Sequence, residues 1–207
     1  GLMPMRVTGS YAFDALQVLN SPEDAKGKIK VMEAIISFFT EGRTLDLLQT
    51  FLLQMGTFEH DSSIQWYLTF HEESKQVLAF KQAVNEIMED PAFWPLFTNN
   101  RQFLNVDDQN RVMVIERSAE YKGKSSRYVI VVNLAGWKLH HYKVGLKTKH
   151  NYTVILNSDE KDLGGTGETY YPEVLENQPS DNFGLLEREV ELFTLPAYGV
   201  VVLKELD

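Results

Sequence analysis

The chain has no cysteine among its 207 residues, and this absence excludes three kinds of chemistry. Without a thiol there is no disulfide, no cysteine-ligated zinc and no cysteine nucleophile. The sequence also lacks a run of about 18 apolar residues that could span a bilayer, and it shows no charged-then-apolar signal peptide. We therefore expect no membrane partner and a cytoplasmic location.

Basic residues are in the minority, since 20 Lys and Arg stand against 29 Asp and Glu, for a formal net charge of -9. They are scattered along the chain, whereas nucleic-acid-binding proteins usually present clustered Lys and Arg. We therefore expect no nucleic-acid partner. The rest of the composition, 43% hydrophobic and 24% charged, is ordinary for a globular protein with a packed core.

The hydrophobic pattern changes near residue 105. Before it, apolar residues recur every three or four positions, as on one face of a helix. One helix is predicted from a cap at 21–24 to Gly42, with an apolar face of Ile29, Met32, Ile35, Ile36 and Phe39. A second is predicted from Glu72 to Glu89, stopped by Pro91, with inward residues Val77, Phe80, Val84, Ile87 and Met88. The apolar block at 45–53 between them fits either a helix or a short strand.

After residue 105 the period becomes two, and strand-like runs alternate with turn residues. The runs are 111–116, 127–132, 140–146, 151–156, 189–193 and 198–203. This pattern predicts an antiparallel β-sandwich. The run 127–132 is apolar on both faces and should be a central strand, whereas 140–146 alternates and should have one wet face. The predicted fold class is α+β, with a mainly helical segment at 1–105 and an all-β sandwich at 106–207.

A polar, glycine-rich turn follows the strand at 151–156. Its first residues, Asn-Ser-Asp at 157–159, have short side chains that hydrogen-bond to turn backbone, and the glycines that follow tolerate positive φ. A phosphate-binding loop would need a helix directly after the glycines. Residues 170–172, Tyr-Tyr-Pro, do not begin one, so we interpret this stretch as a structural corner.

The second half carries several motifs in the order found in one known domain. They are VMVIER at 112–117, YVIVVNL at 128–134, YKVGL at 142–146, YTVIL then NSD and LGG between 152 and 165, and LP at 195–196 before VVVL. In these residues it resembles the C-terminal all-β domain of the α-amylase superfamily, most closely that of glycogen and starch branching enzymes. A generic sandwich would not reproduce NSD, LGG and LP together.

The first half resembles the tail of the catalytic (β/α)8 barrel in the same enzymes. Residues 52–56, LLQMG, look like the last barrel strand, and 60–66, HDSSIQW, look like the segment after it. The family usually continues Met-Gly with Asn-Glu-Phe, whereas this chain has Thr-Phe-Glu at 57–59. Glu59 is therefore not matched to the family's glutamate.

The resemblance also implies what is missing. Enzymes of this superfamily use a carboxylate nucleophile and a carboxylic general acid about 5 Å apart, on middle strands of the barrel. Fewer than 60 residues precede Met55, whereas a whole barrel takes about 250. We therefore expect no catalytic residue in this chain and no activity from it alone.

Aromatic side chains are the remaining candidates for ligand contact. Flat rings with polar tips suit the apolar faces of sugars, so Trp137, Tyr142 and Trp66 are predicted carbohydrate-binding residues. Trp137 lies in a turn between strands, where exposure is expected. The alternative for Trp66, together with Trp94 and Phe97, is burial in the seam between the two halves.

The 5 histidines give no metal-ligand pattern. His140 and His141 adjoin on a strand, so regular geometry points them to opposite faces, while zinc needs at least three convergent ligands. We expect no metal and no other cofactor.

Three functions remain open. The first is a non-catalytic module that stabilises a glucan-active partner and binds α-glucan weakly. The second is a fragment of a full 1,4-α-glucan branching enzyme, a glycosyl transferase of glycogen metabolism whose catalytic part is absent. The third is a free-standing carbohydrate-binding sandwich. The expected partners are α-glucan and either a catalytic barrel or a second copy of the chain.

Overall fold

The computed structural model describes residues 22–40, 66–94 and 100–207. Its helices are α1 (Pro22–Phe38) and α2 (Glu72–Met88), with 3-10 helices at Trp66–Phe70, Pro91–Phe93 and Lys161–Leu163. Its strands are β1 (Asn100–Asp107), β2 (Val112–Tyr121), β3 (Lys124–Asn133), β4 (Leu139–Leu146), β5 (Tyr152–Asn157), β6 (Gln178–Phe183), β7 (Leu186–Leu195) and β8 (Val200–Glu205). The predictions for 45–53, 52–56, most of 60–66 and Phe97 lie outside these ranges.

Helix α1 begins at Pro22, as predicted. Backbone N–H groups in the first turn of a helix have no hydrogen-bond partner within the helix, so a proline, which has no N–H, is tolerated there. The buried face of α1, however, only partly coincides with the predicted one, in which Phe39 is buried. Val31, Ala34 and Phe38 are buried, whereas Met32 is 41% exposed. The apolar spacing misled here because the inward face also contains charged and polar side chains.

The predicted α2 is confirmed in its limits and in its inward face. Val77, Phe80 and Val84 are buried, and the helix ends at Met88. Asp90 then caps the 3-10 helix that begins at Pro91, since its carboxylate accepts a hydrogen bond from the Ala92 N–H at 3.0 Å.

The strands form two antiparallel sheets. The larger has the order β1-β2-β3-β8-β5 and the smaller the order β4-β7-β6. The predicted fold class is confirmed, and all six predicted strands occur. Strands β1 and β6 were not predicted because both are edge strands with largely polar sequences, and β6 contains Pro179, which an edge tolerates.

The position of strand β3 explains why its sequence is apolar on both faces. It lies between β2 and β8, with Ile130 and Val132 in the core beneath the helices and Val129 and Val131 in the core between the sheets. The molecule therefore has three layers: helices, the five-stranded sheet and the three-stranded sheet. Strand β4, in the outer sheet, has one wet face, as predicted.

Buried polar contacts join the helical layer to the sheet. Arg117 of β2 is 1% exposed, and its guanidinium donates to the carbonyls of Phe38 at 2.9 Å and Thr40 at 3.1 Å. Between the helices, Lys81 pairs with the Glu33 carboxylate, which also accepts from the Ser37 hydroxyl at 2.9 Å. In the part of the chain described, no helix is long and apolar enough to cross a membrane.

Candidate functional site

The polar turn after β5 is a corner held by its own side chains. The Asn157 amide donates to the Thr169 carbonyl at 3.1 Å, and its oxygen accepts from the Asp159 N–H at 3.0 Å. The Ser158 hydroxyl accepts from the Val200 N–H at 2.8 Å, which ties the turn to β8. These side chains satisfy backbone groups that the turn would otherwise leave buried and unpaired.

The Asp159 carboxylate lies at the centre of this corner and is 5% exposed. It accepts from the N–H groups of Thr166, Glu168 and Thr169 at 2.8, 3.2 and 3.0 Å, and from the Thr166 hydroxyl at 2.9 Å. Burial raises the pKa of this carboxyl, but the hydrogen bonds from Thr169 and Thr166 outweigh burial and hold the pKa below its ordinary value. The oxygens of Asp159 are thus occupied within the fold, as expected of a turn residue.

Helix α1 covers the corner with a buried lysine that the sequence analysis missed. Lys30 is 3% exposed, and its ammonium donates to the carbonyls of Ser158 and of Leu163, the latter at 3.0 Å. Burial first, and then the nearby Lys26, lower the Lys30 pKa, while Asp159 raises it, so that the net pKa is about 8. The contact spans more than a hundred residues of sequence, so no local pattern indicates it.

Trp137 lies at the same end of the sandwich, in a turn braced by one asparagine. Its side chain is 47% exposed. The Asn133 amide donates to the carbonyls of Trp137 at 2.9 Å and Pro196 at 2.8 Å, and its oxygen accepts from the Ala135 N–H at 2.9 Å. The indole is therefore presented to solvent by a backbone that is fixed on both sides.

Two residues with left-handed backbone flank this turn. Arg111, with φ 57°, places its guanidinium carbon 5.3 Å from the centroid of the Trp137 ring. Tyr198, with φ 42°, packs against Gly136, where an added Cβ would lie 2.9 Å from the tyrosine hydroxyl. We call Arg111, Gly136, Trp137 and Tyr198 the Trp137 platform.

The other two predicted carbohydrate-binding residues have different surroundings. Tyr142 is 9% exposed in the core between the sheets, and its hydroxyl donates to the Asp107 carboxylate at 3.2 Å. Burial, and then Asp107, raise the Tyr142 pKa. Its ring cannot stack on a ligand from that position, because the spacing that marks the strand also turns this side chain inward.

Trp66 is 61% exposed and begins the 3-10 helix Trp66–Phe70, in which Phe70 is 79% exposed. The alternative that Trp66 is buried in the seam is therefore wrong. Trp94, for which the same alternative was considered, is partly buried.

The histidines of β4 are both on the surface. His141 has φ 53° and contacts the Glu191 carboxylate, while His140 lies 3.4 Å from the Thr194 hydroxyl. Within the described ranges, no group of three His, Asp or Glu side chains is arranged to hold a metal ion.

Residues 103–205 match the protein family described as "Alpha amylase, C-terminal all-beta domain". The 1,4-alpha-glucan branching enzyme GlgB of Desulfitobacterium hafniense is 27% identical over 192 residues, which cover 88% of this chain and 29% of that protein. GlgB of Trichormus variabilis is 27% identical over 146 residues, 69% of this chain and 19% of that protein. GlgB of Pseudoalteromonas atlantica is 24% identical over 130 residues, which cover 62% of this chain and 18% of that protein. The chain spans less than a third of the length of these relatives.

Proposed function

Because residues 103–205 belong to the alpha-amylase C-terminal all-beta domain family, we propose that this chain is a non-catalytic module of a glucan-active protein. Its sandwich stabilises the helical segment beside it and, through that segment, a catalytic barrel. The barrel is either the remainder of the same protein or a separate partner. The matched relatives, which are named as 1,4-alpha-glucan branching enzymes, support glucan as the substrate of that barrel.

The observation that carries this proposal is a single core shared by helices and sandwich. Phe38, Phe80 and Phe93 pack in one cluster with Ile130 of β3 and Val202 of β8. Each fully buried side chain of this kind contributes about 1.5–3 kcal/mol. Neither layer would keep its apolar face covered without the other.

A glucan assay on the chain alone tests the non-catalytic part of the proposal. Amylose incubated with the purified chain should keep the absorption of its iodine complex unchanged, because the paired carboxylates that the chemistry requires are expected elsewhere. A progressive fall in that absorption would contradict the proposal.

A chimera tests the supporting role. The segment of D. hafniense GlgB matched by this chain, 29% of that enzyme, is replaced by this sequence, and a second protein lacks the segment altogether. We expect the chimera to fold and branch amylose, and the deletion protein to aggregate. A folded chimera without activity, or a fully active deletion protein, would contradict the supporting role.

A second candidate function is weak binding of α-glucan at Trp137. It is favoured by one observation, the 47% exposed indole on a turn braced by Asn133. We expect a millimolar to micromolar affinity for this site, about -4 to -8 kcal/mol.

Calorimetry with maltoheptaose tests this candidate. The wild-type chain should release heat of binding, and Trp137→Ala should abolish it. Phe193→Ala is the matched control, because Phe193 is another aromatic residue, 52% exposed, on β7. Absence of heat with the wild-type chain would remove glucan binding from the proposal.

A further inference from the structure

The backbone of Arg111 is held in a conformation that few side chains adopt. Its φ of 57° lies in the left-handed region, which glycine enters freely and arginine enters only at a cost in free energy. The conformation is fixed from outside the hairpin, because the Leu134 N–H donates to the Arg111 carbonyl at 2.9 Å. Strained residues of this kind cluster at functional sites.

Tyr198, on the other side of the turn that carries Trp137, also has a strained, left-handed backbone. The Tyr198 N–H donates to the Ala135 carbonyl at 2.8 Å, and Lys28 of α1 lies 4.9 Å from the centroid of its ring. Arg111 of the β1–β2 hairpin therefore contacts the Trp137 ring directly, while Tyr198, itself packed against α1, contacts the neighbouring Gly136. The turn that presents the indole is held from both sides.

The Arg111 side chain has hydrogen-bond donors that are available to a ligand. It is exposed, and apart from the Trp137 ring no hydrogen-bond or ion-pair partner occupies its guanidinium in the ranges that the structure describes. The neighbouring Lys138, by contrast, is paired with the Glu168 carboxylate. A guanidinium carries five N–H donors in a fixed plane and stays charged at any relevant pH.

We propose that Arg111 is a specificity residue of the Trp137 platform: it contacts the indole and donates hydrogen bonds to hydroxyl oxygens of an α-glucan stacked beside it. This inference rests on the proposed glucan binding at Trp137. The indole supplies an apolar face for a sugar ring, and the arginine supplies the adjacent donors that recognise its hydroxyl groups.

The test compares two basic residues, Arg111 and Lys122, each of which has a left-handed backbone conformation and lies in a β-hairpin. Arg111→Gly removes the guanidinium and also relieves the backbone strain, so the variant should fold at least as well as the wild type. Lys122→Gly is the matched control, since Lys122 has φ 51° and lies 5.0 Å from the Tyr121 ring in the β2–β3 hairpin, away from Trp137. Maltoheptaose affinity should fall about tenfold in Arg111→Gly and stay unchanged in Lys122→Gly.

An NMR readout separates donation to the ligand from a purely structural role. The Arg111 Nε–H signal is identified in proton–nitrogen spectra by its loss in Arg111→Gly. It should shift when maltoheptaose is added to the wild-type chain. An unmoved signal at saturating maltoheptaose would overturn the proposal.

The calorimetric outcomes distinguish this inference from the function on which it rests. Equal affinity of Arg111→Gly and wild type, with binding lost in Trp137→Ala, overturns the role of Arg111 and leaves glucan binding in place. Absence of binding by the wild-type chain overturns both. A tenfold loss in Arg111→Gly, with unchanged affinity in Lys122→Gly, supports the proposal.

Discussion

At the scale of single residues, buried polar groups form hydrogen bonds at the interface between the helices and the sandwich. Lys30, Asp159 and Arg117 are each at most 5% exposed. Lys30 and Arg117 donate to carbonyls in a distant part of the chain, whereas Asp159 is bonded within its own turn. Buried charges of this kind are costly unless they are fully bonded. The packing of all three groups, and the protonation of Lys30 and Asp159, are therefore coupled to the stability of the fold.

Lys30→Met should reveal that coupling through pH. The folded pKa of Lys30, about 8, lies below the ordinary value of 10.5, so between these values the unfolded chain binds more protons. The Lys30 contribution therefore makes the wild type more stable as pH rises through this window. Urea unfolding of both proteins at about pH 7 and about pH 9.5 should show the wild type gaining stability relative to Lys30→Met. A constant difference, or a relative loss, would contradict this prediction.

Gly165→Ala should disrupt the corner for a steric reason. An added Cβ at Gly165 would lie 2.2 Å from the backbone of Asp159, which cannot move without breaking its own hydrogen bonds. We expect a loss of about 3 kcal/mol or more in the free energy of unfolding. Gly123→Ala is the control. Gly123 has φ +75°, and a Cβ added there would meet no atom of the described residues within 4 Å, so only backbone strain of about 1 kcal/mol should appear. Equal losses in urea denaturation would argue against steric exclusion at Gly165.

At the scale of elements, the sequence pattern succeeded where burial is regular. Strand β3 was predicted as a central strand because both of its faces are apolar, and α2 was predicted in its limits and inward face. The pattern failed for the edge strands β1 and β6, where polar residues conceal the alternation. It also misjudged part of the buried face of α1, because Lys30, Glu33 and Ser37 are buried in that face.

Arg117→Met should loosen the contact between α1 and β2. The substitution leaves the carbonyls of Phe38 and Thr40 without the guanidinium that now donates to them, at a cost of about 3 kcal/mol. Hydrogen exchange should accelerate at the last amides of α1 before it accelerates in β3. Urea denaturation measures the overall loss.

Arg101→Met serves as the control for this prediction. Arg101 is exposed on β1 and reaches the Phe39 carbonyl, in the same segment that Arg117 reaches. Its removal should cost less than about 1 kcal/mol, because exposed charged contacts contribute little. An Arg117→Met protein as stable as Arg101→Met would show that the buried guanidinium does not anchor the helix.

At the scale of the whole molecule, the shared core predicts one cooperative unit. The five-stranded sheet has an apolar core on each face, one with the helices and one with the smaller sheet. Losing either layer would expose a face of β3, which is apolar on both sides. The helices and the sandwich should therefore unfold together.

Thermal unfolding tests this cooperativity. The far-ultraviolet dichroism of the helices and the near-ultraviolet signal of packed aromatic residues should share one midpoint, and maximal hydrogen-exchange protection should be similar in α2 and β3. Trp66→Phe provides a control, since Trp66 is 61% exposed and its replacement should leave the midpoint unchanged. A helical transition that precedes the loss of the sandwich would contradict the prediction.

The sequence by itself determined the class of the fold, because alternation, helix spacing and turn chemistry are local properties of neighbouring residues. It also marked the second half as a relative of one β-domain family through motifs in a fixed order. Only the tertiary structure decided that Tyr142 is buried, that Lys30 covers the corner, and that Arg111 contacts the indole. These facts depend on which elements pack against one another, and contacts between distant residues leave no periodic signal in the sequence.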